Sequence, residues 1–235
     1  MFSLFIPPTE GQPNQVSPDY THIAVILDRS GSMESIRDDI IGGFNAFLKQ
    51  QQAEPGQATL TLVQFDSQDP YEVVCKFKPI GKVPQLTRYT YIPRANTPLL
   101  DAMGRGINDL DATLAKMPAK ARPDRLVMVI ITDGQENSSR EFNKAQVEKL
   151  IKARQEKDGW QFVFLSADLA AIGDAVKSGV KFSSSMVFDK DAHGTAMAMS
   201  SVSARVTEYR SGRVDTVEFS NEDRAKQASE KKRST

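Results

Sequence analysis

The sequence predicts a doubly wound α/β fold with a mostly parallel sheet of about six strands, one antiparallel edge strand and helices on both faces. Short apolar runs alternate with segments of helical apolar spacing, which is typical of βα units around a parallel sheet. Three runs are continuously apolar, as in strands that helices cover on both faces. Two further runs flank a four-residue turn, which favours a hairpin at one margin of a Rossmann-like sheet.

The strands follow from these runs. The continuous ones are 22–27 (HIAVIL), 126–131 (LVMVII) and 162–165 (FVFL). Residues 58–65 (ATLTLVQF) alternate more, and after the turn SQDP they pair with 71–77 (YEVVCKF). A small last strand is predicted around 186–188.

The helices follow from apolar residues three and four positions apart. They are predicted around 36–48, 103–114, 147–151, 169–177 and 199–209. Pro55-Gly56, Pro118 and Gly212 end the first, second and last of them.

The chain of 235 residues suits one domain with terminal segments. We expect a proline-rich arm over 1–20, the α/β domain over 21–212 and a polar tail over 213–235.

The composition excludes several classes of function. Thirty basic residues balance thirty acidic ones, so no overall field favours nucleic acid or an anionic membrane. Cys75 is the only cysteine, which excludes an internal disulfide and a cysteine-based zinc cluster. No apolar run is long enough to span a membrane, and the N-terminus lacks a basic signal region. We therefore expect a cytoplasmic protein without a membrane partner.

Oxygen-bearing side chains follow two strands that should be neighbours. Right-handed crossovers place 58–65 and 126–131 on opposite sides of the first strand, so a ligand-binding switch point falls between the first strand and 126–131. Asp28 and Asp133 stand just past these strands, and Ser30 and Ser32 alternate around Gly31, which allows a tight turn. Carboxylates and hydroxyls are suitable ligands for a hard divalent cation such as Mg²⁺.

A third loop could add the hydroxyl of Thr97, because it ends a long stretch without regular structure. Each part also has a simpler interpretation. Ser and Asp residues cap helices, Thr97 could be an N-cap before proline, and Asp133 could be a turn residue. Unrelated caps, however, have no reason to converge on one switch point.

The segments DRSGSM (28–33), NTPLLDA (96–102) and TDG (132–134), in this order, resemble the von Willebrand factor type A (vWA) family. The resemblance covers residues from about 20 to 210. The stretches ILDRSGSM, IGGFNAF, TDGQENSSRE and DGWQFVFL are similar to small stand-alone bacterial and phage-borne members. The family's metal-ion-dependent adhesion site (MIDAS) would consist here of Asp28, Ser30, Ser32, Thr97 and Asp133.

The resemblance implies a binding module that is not an enzyme. Its metal, Mg²⁺ or alternatively Mn²⁺ or Ca²⁺, would have an incomplete protein shell that a partner protein's carboxylate completes. An intracellular adaptor or assembly component is implied, with an AAA+ ATPase or its client as a partner. The chain has no G-x-x-x-x-G-K-[ST] loop, so such an ATPase would be another polypeptide.

Other residues are candidates for supporting roles. Asp101 and Glu136 could orient Thr97 or a metal-bound water, and Asn137, Ser138 and Ser139 would cap the following helix. Arg94, with Arg88, Tyr89 and Tyr91, could form a recognition rim or could pack its loop onto the domain. His22 and His193 are poorly placed for catalysis.

Two other functions compete with this interpretation. An apolar strand that ends in Asp28 also resembles haloacid-dehalogenase phosphatases, Mg²⁺-dependent phosphoester hydrolases, but these need a second aspartate where this chain has Ser30. Some vWA proteins bind RNA through other surfaces. Zero net charge and the lack of an RNP-like aromatic strand argue against it, so we expect no nucleic-acid partner.

Overall fold

A computed structural model describes residues 20–228 of the chain. The strands are β1 Tyr20–Asp28, β2 Gln57–Phe65, β3 Glu72–Pro79, β4 Arg125–Thr132, β5 Gln161–Ser166 and β6 Ser185–Val187. The helices are α1 Arg37–Ala53, α2 Leu99–Lys116, α3 Lys144–Asp158, α4 Leu169–Lys177, α5 Ala192–Arg210 and α6 Asn221–Ala228.

The six strands form one sheet in the order β3-β2-β1-β4-β5-β6. All neighbouring pairs are parallel except β2 and β3, so the antiparallel strand lies at the edge. This confirms the predicted fold class. β2 and β4 flank β1, which places the carboxyl ends of β1 and β4 side by side at the switch point.

Apolar side chains fill both faces of the sheet. Ile23, Val25 and Leu27 of β1 pack into the cluster that contains α1 and α5 residues. Ala24 and Ile26 point the other way, into the cluster that contains α2, α3 and α4 residues. The continuous apolar run of β1 thus packs into the cores on both faces of the sheet, because successive side chains of a strand alternate between faces.

The predicted division into arm, domain and tail stays a prediction, and residues 1–19 and 229–235 lie outside the described residues. The structure adds that Val217 and Phe219, within the predicted tail, are buried in the core beside α1 and α5 residues. Residues 221–228 then form α6.

Between residues 20 and 228, no helix has both the length and the apolar character needed to cross a membrane.

Candidate metal-binding site

Asp28 is the last residue of β1 and its side chain is fixed at both oxygens. Oδ1 accepts a hydrogen bond from the backbone N of Ser30 at 2.6 Å, and Oδ2 accepts one from Oγ1 of Thr132 at 2.6 Å. Thr132 ends β4, the neighbouring strand. The parallel pairing of β1 and β4 therefore orients this carboxylate.

A chain of hydroxyls joins the loop after β1 to the end of β4. The Oγ atoms of Ser30 and Ser32 lie 3.1 Å apart, and Ser32 Oγ donates to Asp133 Oδ1 at 2.7 Å. The structure thus brings Asp28, Ser30, Ser32 and Asp133 together, although Ser32 and Asp133 are far apart in sequence.

The loop that carries Thr97 runs beside the loop after β1. Arg94 N donates to Arg29 O at 2.8 Å, and Gly31 N donates to Ala95 O at 2.9 Å. A Cβ atom at Gly31 would lie 3.3 Å from Ala95 O. The glycine at position 31 therefore permits the close approach of two backbones, and its φ is not in the left-handed region.

Thr97 is buried, and hydrogen bonds of its backbone hold it in place. Its N donates to Asn137 Oδ1 at 2.9 Å, and its carbonyl accepts from Asn137 N at 3.2 Å. Asn137 follows Asp133 by four residues. The Thr97 segment therefore contacts both the loop after β1 and the loop after β4, so the three predicted segments meet at one edge of the sheet.

Burial dominates the electrostatics of the site. It raises the pKa of the Asp28 carboxyl from its ordinary 3.8 to about 7. The hydrogen bonds from Thr132 and Ser30 oppose this rise, and the charge of Asp133 adds to it. A cation beside these two carboxyl groups would therefore favour the charged form of Asp28.

Lys190, in the segment between β6 and α5, contacts the site. Its Nζ lies 2.5 Å from Asp133 Oδ2. This oxygen is buried and has no partner of hydrogen-bond geometry among residues 20–228, so the contact is an ion pair. The sequence offers no signal for it, because Lys190 follows an unrelated strand.

The predicted supporting residues mainly hold loops in place. Asp101 accepts hydrogen bonds from three consecutive backbone N–H groups, those of residues 140–142. Glu136 accepts from Leu100 N and from the backbone and hydroxyl of Ser139. Arg94 Nε donates to Asp66 Oδ2 at 2.9 Å. These contacts fix the loops that carry Thr97 and Asp133.

The prediction that Asn137, Ser138 and Ser139 cap the next helix is wrong. The N-cap of α3 is Asn143, which forms a capping box with Gln146. Glu136 and Asp101 take up the backbone N–H groups of residues 138–142, so the chain stays non-helical there.

The predicted rim divides into two parts. Tyr91 is fully buried, and its hydroxyl donates to the Asp28 carbonyl at 2.7 Å, so it packs the loop onto the domain. Tyr89, by contrast, is 91% exposed, and Arg88 pairs with Asp38 at the surface.

The residues present fit a hard divalent cation. Two carboxylates and neutral hydroxyls supply oxygen ligands, and the buried Asp133 Oδ2 already contacts a cation, the ammonium of Lys190. Among residues 20–228, no group of three or more His, Cys, Asp or Glu side chains is arranged to hold a metal ion, so this ligand set depends on its hydroxyls.

Comparisons with known proteins show the class of fold. No protein-family model and no curated protein matches the sequence. The pilus adhesin SpaC from Lactobacillus rhamnosus GG aligns with a TM-score of 0.60 at 15% identity, over 83% of this chain and 30% of SpaC. The chain thus shares the α/β fold of the aligned part of SpaC.

Two other solved structures have a similar fold. Proximal thread matrix protein 1 from the mussel byssus, described with a zinc-occupied MIDAS motif, aligns with a TM-score of 0.54 at 15% identity, over 81% of this chain and 46% of that protein. A von Willebrand factor type A protein from Catenulispora acidiphila gives 0.53 at 13% identity, over 80% and 43%.

The chain therefore has a vWA-like Rossmann fold. It spans less than half the length of each of these three proteins.

Proposed function

We propose that this chain is a metal-dependent protein-binding module of the vWA family with a MIDAS-type site. The hydrogen bond of 2.7 Å between Ser32 and Asp133 carries this proposal, because it joins the D-x-S-x-S loop to the aspartate after β4. The mussel protein with a zinc-occupied MIDAS motif has a similar fold and supports a divalent cation here.

Some side chains at the site would ligate a cation, and others orient these ligands. Asp28, Ser30, Ser32, Thr97 and Asp133 would hold Mg²⁺, or Mn²⁺ or Ca²⁺ in its place. Thr132 orients Asp28, and the side-chain oxygen and backbone N of Asn137 position the backbone of Thr97. The bound ion would supply an undersatisfied positive charge that a carboxylate ligates. Three of the five ligands are neutral hydroxyls, which leave more of that charge for a partner.

We infer a stand-alone bacterial or phage-borne protein of the cytoplasm, an adaptor or assembly component that recognises an acidic residue of a partner protein. An AAA+ ATPase or its client suits that role. We propose a binding role without enzymatic activity.

Thermal melting tests the cation site. With Mg²⁺ or Mn²⁺ at about 100 times its dissociation constant, we expect a melting temperature about 5 to 10 °C above that in EDTA. Asp28→Asn and Ser32→Ala should remove this shift, because each takes away a ligand. The asparagine keeps an acceptor for Ser30 N, so Asp28→Asn should remain folded.

Asp215→Asn is the matched control, since it removes one charge from a side chain that is 94% exposed and pairs with Arg125. It should keep the full shift. Identical melting curves for the wild type with and without divalent ions would contradict the proposed site.

Partner capture tests the binding role. Wild-type protein, with Mg²⁺, should retain a specific partner that neither Asp28→Asn nor EDTA-treated protein retains, and neutralising one acidic residue of that partner should release it. Turnover of a generic phosphoester with Mg²⁺, or a salt-dependent shift of labelled RNA, would favour the two alternatives instead.

A further inference from the structure

Lys190 supplies a positive charge at the candidate site from within the chain. Its Nζ lies 2.5 Å from Asp133 Oδ2, and the Asp133 side chain is fully buried. The other oxygen of this carboxylate accepts the hydrogen bond from Ser32. The ammonium therefore contacts the one Asp133 oxygen that has no hydrogen-bond donor among the described residues.

The position of Lys190 allows its side chain to move while its backbone stays in place. Phe188 N donates to Ser166 O at 3.0 Å, and the Asp191 side chain caps α5 through Gly194 N at 2.7 Å. The residues on both sides of Lys190 are thus anchored. Its side chain is 37% exposed and ends a flexible four-carbon stem, so the ammonium can exchange between Asp133 and water.

A divalent ion and the ammonium would compete for the same oxygen. Both are cations, and the space beside Asp133 Oδ2 is already occupied at contact distance by Nζ. Repulsion between a divalent ion and an ammonium in a buried site opposes their joint binding. Without either cation, the buried carboxylate of Asp133 would have no compensating charge.

We propose that Lys190 is an internal cation that competes with the divalent ion for Asp133, and that ion binding displaces its ammonium to the rim. This inference rests on the proposed function, because it presumes a divalent ion at this site. The ion pair stabilises the ion-free protein and weakens ion affinity, so the site loads only when the divalent ion is sufficiently concentrated.

Calorimetric titration of the full chain with Mg²⁺ and Mn²⁺ tests the proposal. Lys190→Gln should bind either ion about tenfold more tightly than the wild type, because no ion pair must be broken. Lys190→Arg keeps the charge and should bind close to the wild-type affinity. Lys152→Gln is the matched control, since Lys152 is an exposed α3 residue paired with Glu148; it too should bind like the wild type.

Melting in EDTA gives a second measurement. Lys190→Gln should melt at a lower temperature than the wild type in EDTA and should gain a larger shift from Mg²⁺. If Lys190 only holds its loop in place, the variant loses stability equally with and without Mg²⁺ and its dissociation constant is unchanged, which overturns the inference.

The outcomes separate this inference from the proposed function. If the wild type binds divalent ions and Lys190→Gln binds no more tightly, competition by Lys190 is wrong and the metal site stands. If neither protein binds Mg²⁺ or Mn²⁺, the proposed function and this inference are both wrong.

Discussion

At the scale of single residues, the orientation of Asp28 depends on several parts of the chain. Its carboxylate accepts from Ser30 and Thr132, and its carbonyl accepts from the buried hydroxyl of Tyr91. Each partner comes from a different segment. Of these donors only the Thr132 hydroxyl is a side chain that bonds the carboxylate, so its removal should shift the carboxylate without unfolding the sheet.

His22 is a second buried polar residue, far from the candidate site. It stacks on Phe77 with ring centroids 3.8 Å apart, and its Nδ1 lies 2.8 Å from Thr59 Oγ1. Its Nε2 is buried and has no hydrogen-bond partner among the described residues. Burial lowers the pKa of His22 from 6.5 to about 3, so the folded protein keeps this ring neutral.

His22 should make the fold sensitive to acid. The unfolded chain takes up a proton below pH 6.5 that the folded chain excludes until about pH 3, so stability is lost as the pH falls through this window. Between pH 7.5 and 5, the wild type should lose about 2 kcal/mol more unfolding free energy than His22→Phe. Urea unfolding at several pH values measures the difference. Parallel pH profiles of the two proteins would contradict the assignment.

At the scale of elements, α1 and α5 approach each other closely at one glycine of α1. A Cβ atom at Gly43 would lie 2.7 Å from Met199 Cγ and 3.3 Å from its Cβ, both close to the backbone of α5. At the adjacent Gly42, nothing lies within 4 Å of such an atom. The two glycines therefore have different roles, because only the one at position 43 permits close packing of α1 against α5.

This pair allows a matched comparison. Gly42→Ala should stabilise the protein by about 0.5 to 1 kcal/mol, because alanine favours the helix and the position is open. Gly43→Ala should destabilise it by about 1 to 3 kcal/mol, because Met199 must move within a packed core. Chemical denaturation of both variants measures these changes. Equal effects of the two substitutions would contradict close packing at Gly43.

At the scale of the whole molecule, the chain after α5 completes the domain. Phe219 N donates to Ser183 O at 2.8 Å, and Ser184 Oγ donates to the Val217 carbonyl at 2.7 Å. Phe219 itself is only 7% exposed. These contacts cover the core where α1 and α5 pack, beyond the boundary that the sequence predicts at residue 212.

Substitution of Phe219 tests this role. Phe219→Ala should lower the free energy of unfolding by about 3 to 5 kcal/mol, because it empties a buried aromatic site. Glu222→Ala, at an exposed position of α6, should change it by less than about 0.5 kcal/mol. Thermal or urea unfolding distinguishes the two variants. A neutral Phe219→Ala would mean that residues 213–228 contribute little to the core.

The sequence by itself determined the sheet, the order of its elements and the residues at the switch point. The apolar runs specify buried parallel strands, and handedness places Asp28 and Asp133 at adjacent strand ends. Ser30 and Ser32 follow from the short loop after the first strand, and the stretch NTPLLDA identifies Thr97 only through its resemblance to the vWA family.

Only the tertiary structure decided which residues, far apart in sequence, lie at the carboxyl ends of β1 and β4. The roles of Tyr91, Thr132 and Lys190 depend on contacts between segments that share no sequence pattern. The caps after Asp133 were predicted wrongly because Asp101 and Glu136, held by other elements, outcompete local helix signals for the backbone N–H groups. Long-range hydrogen bonds and charge pairing form only once the sheet has assembled, so local sequence cannot specify them.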